Sequence, residues 1–176
     1  MRKLFIVLLP LVLVLSFHND IYLKIYRIRE PKFVIPIDAG SAIYIRRDAY
    51  GSGEFGAHRN GGRRHKGIDL YTKTGSPVYA GKSGFAFIGY NKRGMGKFVL
   101  LKHPDGYSSI YGHLSKIEVQ NGRWVRQADV IGRVGKTGNA RPRAIKPHLH
   151  FEIRLQGMAV DPLAGHMDTE GISVIR

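Results

Sequence analysis

The sequence predicts a mostly β protein, folded as an antiparallel β-sandwich or an open, barrel-like sheet, with few or no helices in its main domain. Beyond Asp69 the apolar residues come in short runs of strand length. Turn signals rich in Gly, Pro, Asn and Asp separate these runs. No long stretch shows the 3.6-residue period of an amphipathic helix. Short strands at such frequent turn signals are typical of sandwiches and open barrels.

The N-terminus has the pattern of an export signal. Arg2 and Lys3 precede an apolar run from Leu4 to Leu15 that is interrupted only by Pro10. This run is shorter than the ~20 residues of a comfortable membrane span, so residues 1–16 are predicted to be a secretory signal peptide or a signal anchor. A cleaved signal places the protein in the periplasm, in the cell envelope or outside the cell, and a retained one tethers it to the membrane.

Net charge narrows the choice of partner. The 176 residues contain 28 Lys and Arg against 13 Asp and Glu, a formal charge of +15, which indicates an anionic partner. Nucleic acid and an anionic cell-envelope polymer both qualify, and the export signal argues for the envelope. The chain has no cysteine, which excludes disulfides and thiolate metal sites.

Residues 17–46 form an N-terminal extension with weak strand signals. Apolar residues alternate over residues 21–26, which predicts a short strand there. Pro31 and Pro36 interrupt the second half of the extension, where edge strands are predicted at residues 33–35 and 42–45.

The main domain is predicted to begin at residue 47 and to end at residue 166, leaving a C-terminal tail at 167–176. Its first part, residues 50–62, is glycine-rich and is interpreted as turns, because its spacing fits no phosphate-binding loop. Strands are predicted at residues 83–90, 97–103, 107–111 and 130–134, with a two-residue hairpin at Asn121-Gly122 between residues 117–120 and 123–125.

The last predicted strand, Pro147–Arg154, carries two histidines on one face. Leu149, Phe151 and Ile153 alternate with His148, His150 and Glu152, so the first set faces a core. Two histidines at positions i and i+2 lie about 6–7 Å apart at their Cα atoms. They can share one metal ion, or one can bind the metal while the other acts as acid or base. Glu152, on the same face, can orient a histidine or pair with Arg154.

Further candidate ligands lie upstream. His65 and Asp69 are both competent zinc ligands, but in a straight strand their Cα atoms would be about 13 Å apart. Gly67 between them permits the bend that brings them together. A fifth residue of interest, His113, lies in Tyr111-Gly-His-Leu114 at the end of a predicted strand.

Together these residues resemble a known family. His65-x-x-x-Asp69, Tyr111-x-His113-Leu114 and His148-x-His150, in this order, resemble peptidase family M23, the lysostaphin/LytM-type zinc endopeptidases of bacterial cell walls. The stretches His65–Leu70, Gly75–Ala80, Val130–Gly138 and Pro147–Glu152 resemble the family as well. The resemblance extends over roughly residues 48–165.

The resemblance implies a function and assigns roles. It implies one zinc ion (Zn2+) per chain, held by His65, Asp69 and His150, with His113 and His148 as the catalytic histidines beside the bound water. It also implies hydrolysis of stem or cross-bridge peptides of peptidoglycan. The alternative is a non-catalytic envelope-binding or amidase-activating module on the same fold; such relatives typically lack some of these residues. A nucleic-acid-binding role is disfavoured, since no recognition motif is present.

Basic residues flank the predicted site and are expected to attract a substrate that carries free carboxylates. They are Arg63, Arg64, Lys66, Arg141, Arg143 and Lys146.

Overall fold

A computed structural model describes residues 20–176, which belong to two compact units divided between residues 31 and 32. In the first unit, residues 20–29 are helical. The predicted strand over residues 21–26 is therefore wrong. A period-two pattern over six residues does not separate a strand from a helix, and four of the ten residues, Leu23, Lys24, Arg27 and Arg29, are of types that favour helices.

Within residues 20–176, no helical segment combines the length and the apolar character needed to cross a bilayer. The predicted signal segment, residues 1–16, lies outside the described residues.

The second unit is built from short strands. In the described residues the strands are, in chain order, β1 (Ala42–Tyr44), β2 (Arg47–Asp48), β3 (Gly51–Ser52), β4 (Ile68–Tyr71), β5 (Pro77–Tyr79), β6 (Gly84–Asn91), β7 (Gly96–Lys102), β8 (Tyr107–Ile117), β9 (Trp124–Val125), β10 (Val130–Val134), β11 (His148–Leu155), β12 (Met158–Val160) and β13 (Ser173–Ile175). Two 3₁₀ turns, Asn60–Gly62 and Gly138–Ala140, interrupt the loops.

Nine of these strands form one sheet, and its pairings are all antiparallel. Its main path runs β12-β11-β8-β7-β6-β9; β4 is added to β11, and β10 joins β5 to β8. The sheet is open rather than a closed barrel, so the predicted mostly β, antiparallel class is confirmed. Strand β11 is at its centre, with β4 and β12 along one edge and β8 along the other.

The two faces of β11 are both buried. Leu149, Phe151 and Ile153 are fully buried in the hydrophobic core, as their alternation predicts. His148, His150 and Glu152, on the opposite face, are only 3%, 7% and 2% exposed. The polar face of this strand is therefore covered by other parts of the unit and is not a solvated surface.

Most predicted strands of the main domain match an observed strand, but the prediction of a hairpin at Asn121-Gly122 is wrong. Strand β9 pairs with β6 and not with the residues before the turn. The side-chain oxygen of Asn121 accepts a hydrogen bond from Ile88 N (3.0 Å), and Gly122 N donates to Ala86 O (2.7 Å). The turn forms, but the edge of β6 supplies a longer partner than residues 117–120 do.

Segments before and after the main sheet complete the core. Strand β1 pairs in parallel with β13, near the C-terminus. Phe33, Ile43 and Ile45 are at most 5% exposed and belong to the core cluster, together with Met167. Residues 32–46 are thus built into this unit.

Gly67 is required by the close approach of two strands. A Cβ atom at position 67 would overlap the carbonyl oxygen of Phe151 and would lie 2.8 Å from Glu152 Cγ. The role of this glycine is therefore to admit β11; its φ is not among the positive values of this chain.

We expect Gly67→Ala to destabilise the protein by about 1–3 kcal/mol, the usual cost of overpacking a well-packed site. The free energy of unfolding from urea titration measures this. Lys66→Ala, at the exposed neighbouring position, serves as the control and should stay within about 0.5 kcal/mol of wild type. Equal stability of the two variants would contradict the close-packing argument.

Candidate metal centre and active site

Three side-chain atoms from different parts of the chain meet at one point. Asp69 Oδ1 lies 2.9 Å from His150 Nδ1 and 3.1 Å from His65 Nε2, and the two ring nitrogens are 3.0 Å apart. All three residues are buried, and they form the potential metal-binding group found among the described residues.

The strand register produces this meeting. Asp69 on β4 lies directly opposite His150 on β11, so their side chains point to the same side of the sheet. His65 precedes β4. Its backbone is held by a hydrogen bond from His65 N to Ala57 O (2.9 Å). The family resemblance implied that these three residues share one site, and the structure brings them together.

Hydrogen bonds on the far side of each ring determine which nitrogen faces the meeting point. Nδ1 of His65 donates to the carbonyl oxygen of Glu54 (2.8 Å), and Nε2 of His150 donates to Glu152 Oε1 (3.0 Å). Because each of those acceptors takes one ring proton, His65 Nε2 and His150 Nδ1 carry lone pairs whenever the rings are neutral. Glu152 is in turn held by Arg154, whose Nε and Nη2 donate to Oε2 at 2.9 and 2.6 Å. Glu152 therefore both binds a histidine, His150, and pairs with Arg154, the two roles considered for it from the sequence.

With neutral rings, Asp69 Oδ1, His65 Nε2 and His150 Nδ1 all carry lone pairs, and at this spacing the lone pairs repel one another unless a cation lies between them. The ligand atoms of one tetrahedral zinc ion are about 3.3 Å apart, close to the 2.9–3.1 Å observed. A proton serves the same atoms in part. Although burial disfavours the imidazolium, hydrogen bonds with Asp69 and Glu152 raise the pKa of His150 to about 9. Burial also opposes ionisation of Asp69, but hydrogen bonds with His150 and His65 keep its pKa well below the ordinary value.

The second oxygen of Asp69 is taken by two arginines. Oδ2 accepts hydrogen bonds from Arg46 (Nη2 3.1 Å, Nε 3.3 Å) and from Arg59 (Nη2 3.2 Å). Neither arginine was predicted from the sequence. They follow no periodic pattern, and Arg59 lies in a loop interpreted only as turns, so no local signal pointed to them.

His148 and His113 lie beside the three donor residues. His148 Nε2 is 3.8 Å from Asp69 Oδ1, and the rings of His113 and His148 are 4.9 Å apart. Nδ1 of His148 donates to Lys146 O (2.7 Å) and Nδ1 of His113 to Thr137 O (3.0 Å), which leaves the lone pair on Nε2 of each ring. Burial lowers the pKa of His148, and burial together with the neighbouring imidazoles lowers that of His113 to about 3, so both rings are neutral.

His113 has an unusual backbone conformation. Its φ is +62°, and the pairing of β8 with β7 contains a register irregularity at this place. The conformation is fixed by a hydrogen bond from His113 N to Met95 O (2.6 Å). Such irregularities redirect side chains beside active sites, and here His113 is turned toward His148 and His150.

An open, basic groove lies near His113. Its volume is about 580 Å³, and it is lined by Lys92, Arg93, Gly138, Asn139, Arg141 and Pro142. The loops that line it also hold His113, through Met95 O and Thr137 O. The six basic residues predicted to flank the site are all exposed.

An open antiparallel β domain with a His, Asp, His donor set beside two further histidines has the make-up of a metalloprotease. The chain belongs to peptidase family M23, whose sequence model matches residues 63–162. The resemblance found in the sequence is therefore confirmed at the level of the family. The individual roles of the five site residues stay predictions.

Relatives and solved structures agree with this family. The chain is 39% identical over 109 residues to a lipoprotein NlpD/LppB homolog of Pseudomonas aeruginosa, covering 61% of this chain and 35% of that protein. It is 38% identical over 107 residues to the DD-carboxypeptidase/endopeptidase Mpg of Neisseria meningitidis, covering 61% of this chain and 24% of Mpg. A zinc-containing peptidase from Vibrio cholerae shares the fold at a TM-score of 0.58 and 28% identity, over 77% of this chain and 40% of that one. The chain thus spans about a quarter to a third of the two curated relatives.

We expect His113→Gly to be more stable than His113→Ala by about 1 kcal/mol. Both substitutions remove the imidazole, but only the alanine retains a Cβ that opposes a positive φ, at a cost of about 1–2 kcal/mol. Urea titration of the two variants gives the difference in the free energy of unfolding.

Lys116, exposed on the same strand, provides the control for this pair. There the order should reverse, with Lys116→Gly less stable than Lys116→Ala by about 0.5–1 kcal/mol. If His113→Gly were instead less stable than His113→Ala, as expected at position 116, the backbone of His113 would not be strained.

Proposed function

We propose that this chain is a zinc-dependent endopeptidase that hydrolyses peptide bonds in the stem or cross-bridge peptides of bacterial peptidoglycan. Membership of peptidase family M23 and the similarity to Mpg, a DD-carboxypeptidase/endopeptidase, support this proposal. The observation that carries it is the meeting of three lone-pair donors within 2.9–3.1 Å beside two neutral histidines.

His65, Asp69 and His150 are the residues that would hold the zinc ion, one per chain. When bound, zinc supplies a Lewis acid that polarises a peptide carbonyl and lowers the pKa of a bound water. Three protein ligands leave a fourth position open, which distinguishes catalytic from structural zinc sites.

His113 and His148 are proposed to move the protons of the reaction. A neutral ring whose Nδ1 is bound to a carbonyl oxygen can accept the proton of the attacking water only at Nε2. The resulting imidazolium can then donate that proton to the leaving amine or stabilise the oxyanion. Because backbone carbonyls fix both rings, neither has to reorient before it accepts a proton.

The basic groove is proposed to bind a carboxylate of the substrate. Peptides of the cell wall are anionic, and Lys92, Arg93 and Arg141 line a groove whose loops also hold His113. A substrate peptide bound there would lie beside the loops that hold His113, so the charges would contribute to binding rather than to chemistry.

We further propose that the protein acts in the cell envelope, with residues 47–166 as its catalytic domain. The P. aeruginosa relative is a lipoprotein, and the N-terminal pattern of residues 1–16 predicts export. Peptidoglycan and the anionic envelope are then the partners that the excess of basic residues attracts.

Digestion of purified peptidoglycan tests the enzymatic proposal. We expect wild-type protein to release new peptide ends, a chelator to abolish this release, and added zinc to restore it. His150→Ala should reduce cleavage by at least ~10³-fold, since removing one member of a catalytic unit costs about 10³–10⁶. Chromatography and mass spectrometry of the fragments identify the bond that is cut.

Lys116→Ala, at an exposed position outside the site and the groove, serves as the matched control and should cleave at nearly the wild-type rate. If wild-type protein binds peptidoglycan but never cleaves it, the alternative of a binding or amidase-activating module replaces the enzyme. Cleavage that survives His150→Ala would refute the proposed ligand set.

Charge reversal in the groove tests the proposed carboxylate contact. We expect Arg93→Glu with Arg141→Glu to raise KM about tenfold with kcat nearly unchanged, since uniform binding is lost. The effect should shrink as salt rises, because exposed charges are screened within about 8–10 Å. Arg126→Glu, at another exposed position, is the control, and an equal rise in KM there would point to net charge instead of the groove.

A further inference from the structure

The two oxygens of Asp69 have different surroundings. Oδ1 faces the nitrogen atoms of His65 and His150, whereas Oδ2 faces away from them and is occupied by two guanidinium groups. The side chain of Asp69 is 4% exposed. Hydrogen bonds from both arginines at 3.1–3.3 Å leave Oδ2 no freedom to turn toward the other donors.

Arg46 is fixed as firmly as the carboxylate it holds. Its backbone N donates to the carbonyl oxygen of Asp69 (2.8 Å), so one residue contacts the other through both main chain and side chain. Its side chain is 5% exposed, and its Nη1 lies 2.6 Å from Asp48 Oδ1. Two arginines and two aspartates thus form a largely buried group without net charge, which compensates for the burial of Arg46.

The same network reaches one of the proposed catalytic histidines. Asp48 Oδ2 accepts a hydrogen bond from Lys146 N (3.0 Å), and Lys146 O accepts the Nδ1 proton of His148 (2.7 Å). A continuous path of contacts therefore runs from Asp69 through Arg46, Asp48 and Lys146 to His148.

These positioning groups lie before the part of the chain that matches the family model. Arg46, Asp48 and Arg59 all precede residue 63, where that match begins. Arg46 follows β1, whose Ile43 is buried and which pairs with β13. The N-terminal extension is thus anchored in the core at the point where its arginine reaches the site.

We propose that Arg46 and Arg59 are positioning residues that restrict Asp69 to binding the metal through Oδ1 alone. Arg46 and Asp48 accordingly belong to the surroundings of the proposed metal centre. Because the arginines occupy Oδ2, only Oδ1 of Asp69 would be available to a bound metal ion. This inference rests on the metal centre of the proposed function, but not on peptide hydrolysis.

Metal binding of the purified protein tests the inference. Zinc affinity is measured by competition with a chromophoric chelator for wild type, Arg46→Met, Arg59→Met and Arg46→Lys. We expect both Met variants to bind zinc about 10–100-fold more weakly, the usual effect of removing a hydrogen-bond partner of a ligand. Arg46→Lys should restore only part of the affinity, because one ammonium cannot bridge Asp48 and Asp69 as the guanidinium does.

The visible spectrum of bound Co2+ distinguishes a change in metal coordination from a loss of protein stability. Co2+ absorbs visible light more weakly as its coordination number rises above four. The Met variants should therefore show a weaker cobalt spectrum per bound ion, since an Oδ2 that accepts fewer hydrogen bonds can also coordinate. Arg47→Met, an exposed neighbour on β2, is the control and should match wild type in affinity and spectrum.

Unchanged or tighter zinc binding by both Met variants would overturn the inference, as would a cobalt spectrum identical to that of wild type. If Arg46→Met fails to fold, Arg59→Met decides, because Arg59 lies in a loop and its side chain is 22% exposed. Wild-type protein that binds zinc but does not cleave peptidoglycan would refute the enzymatic function and leave this inference standing. Absence of zinc binding in wild type would refute both.

Discussion

The antiparallel pairing of β4 with β11 is the interaction on which the site depends. It sets Asp69 opposite His150 and, on the other face, Leu70 opposite Leu149. Side chains alternate along a strand, so a slip of one residue would exchange the two faces. The fully buried Leu70 and Leu149 therefore hold Asp69 and His150 on the site face, because a one-residue slip would bury Asp69 in the core.

The polar face of β11 carries groups that are unfavourable in isolation. It buries two histidines and a glutamate, and His113 beside it has a positive φ. Each of these features destabilises the fold unless the surrounding structure compensates for it. The compensation is visible, because each site histidine has a ring nitrogen bonded to a carbonyl or carboxylate oxygen.

Local sequence patterns predicted the features of the structure that are determined by residues close together in the sequence. The alternation along β11 was sufficient to place the strand, whereas the candidate residues were chosen by the resemblance of three ordered motifs to family M23. The helix at residues 20–29 was missed because a short apolar alternation suits both structures. The partner of β9 and the arginines on Asp69 depend on contacts between segments that are distant in sequence, such as Arg46 and Asp69, which are 23 positions apart. Such contacts leave no periodic trace in the sequence.

The arginine pair also changes how the large positive charge is understood. Composition suggests that all the excess basic residues attract an anionic polymer, but Arg46 and Arg59 are paired with Asp48 and Asp69 inside the unit. A buried, compensated charge adds little to the field outside the protein, whereas exposed cations act over about a Debye length. In the proposed function, attraction of substrate is then left to exposed groups such as Arg93 and Arg141 in the groove. On these proposals basic residues have two separate uses, positioning of the proposed metal ligand Asp69 within the core and recognition of anions at the surface.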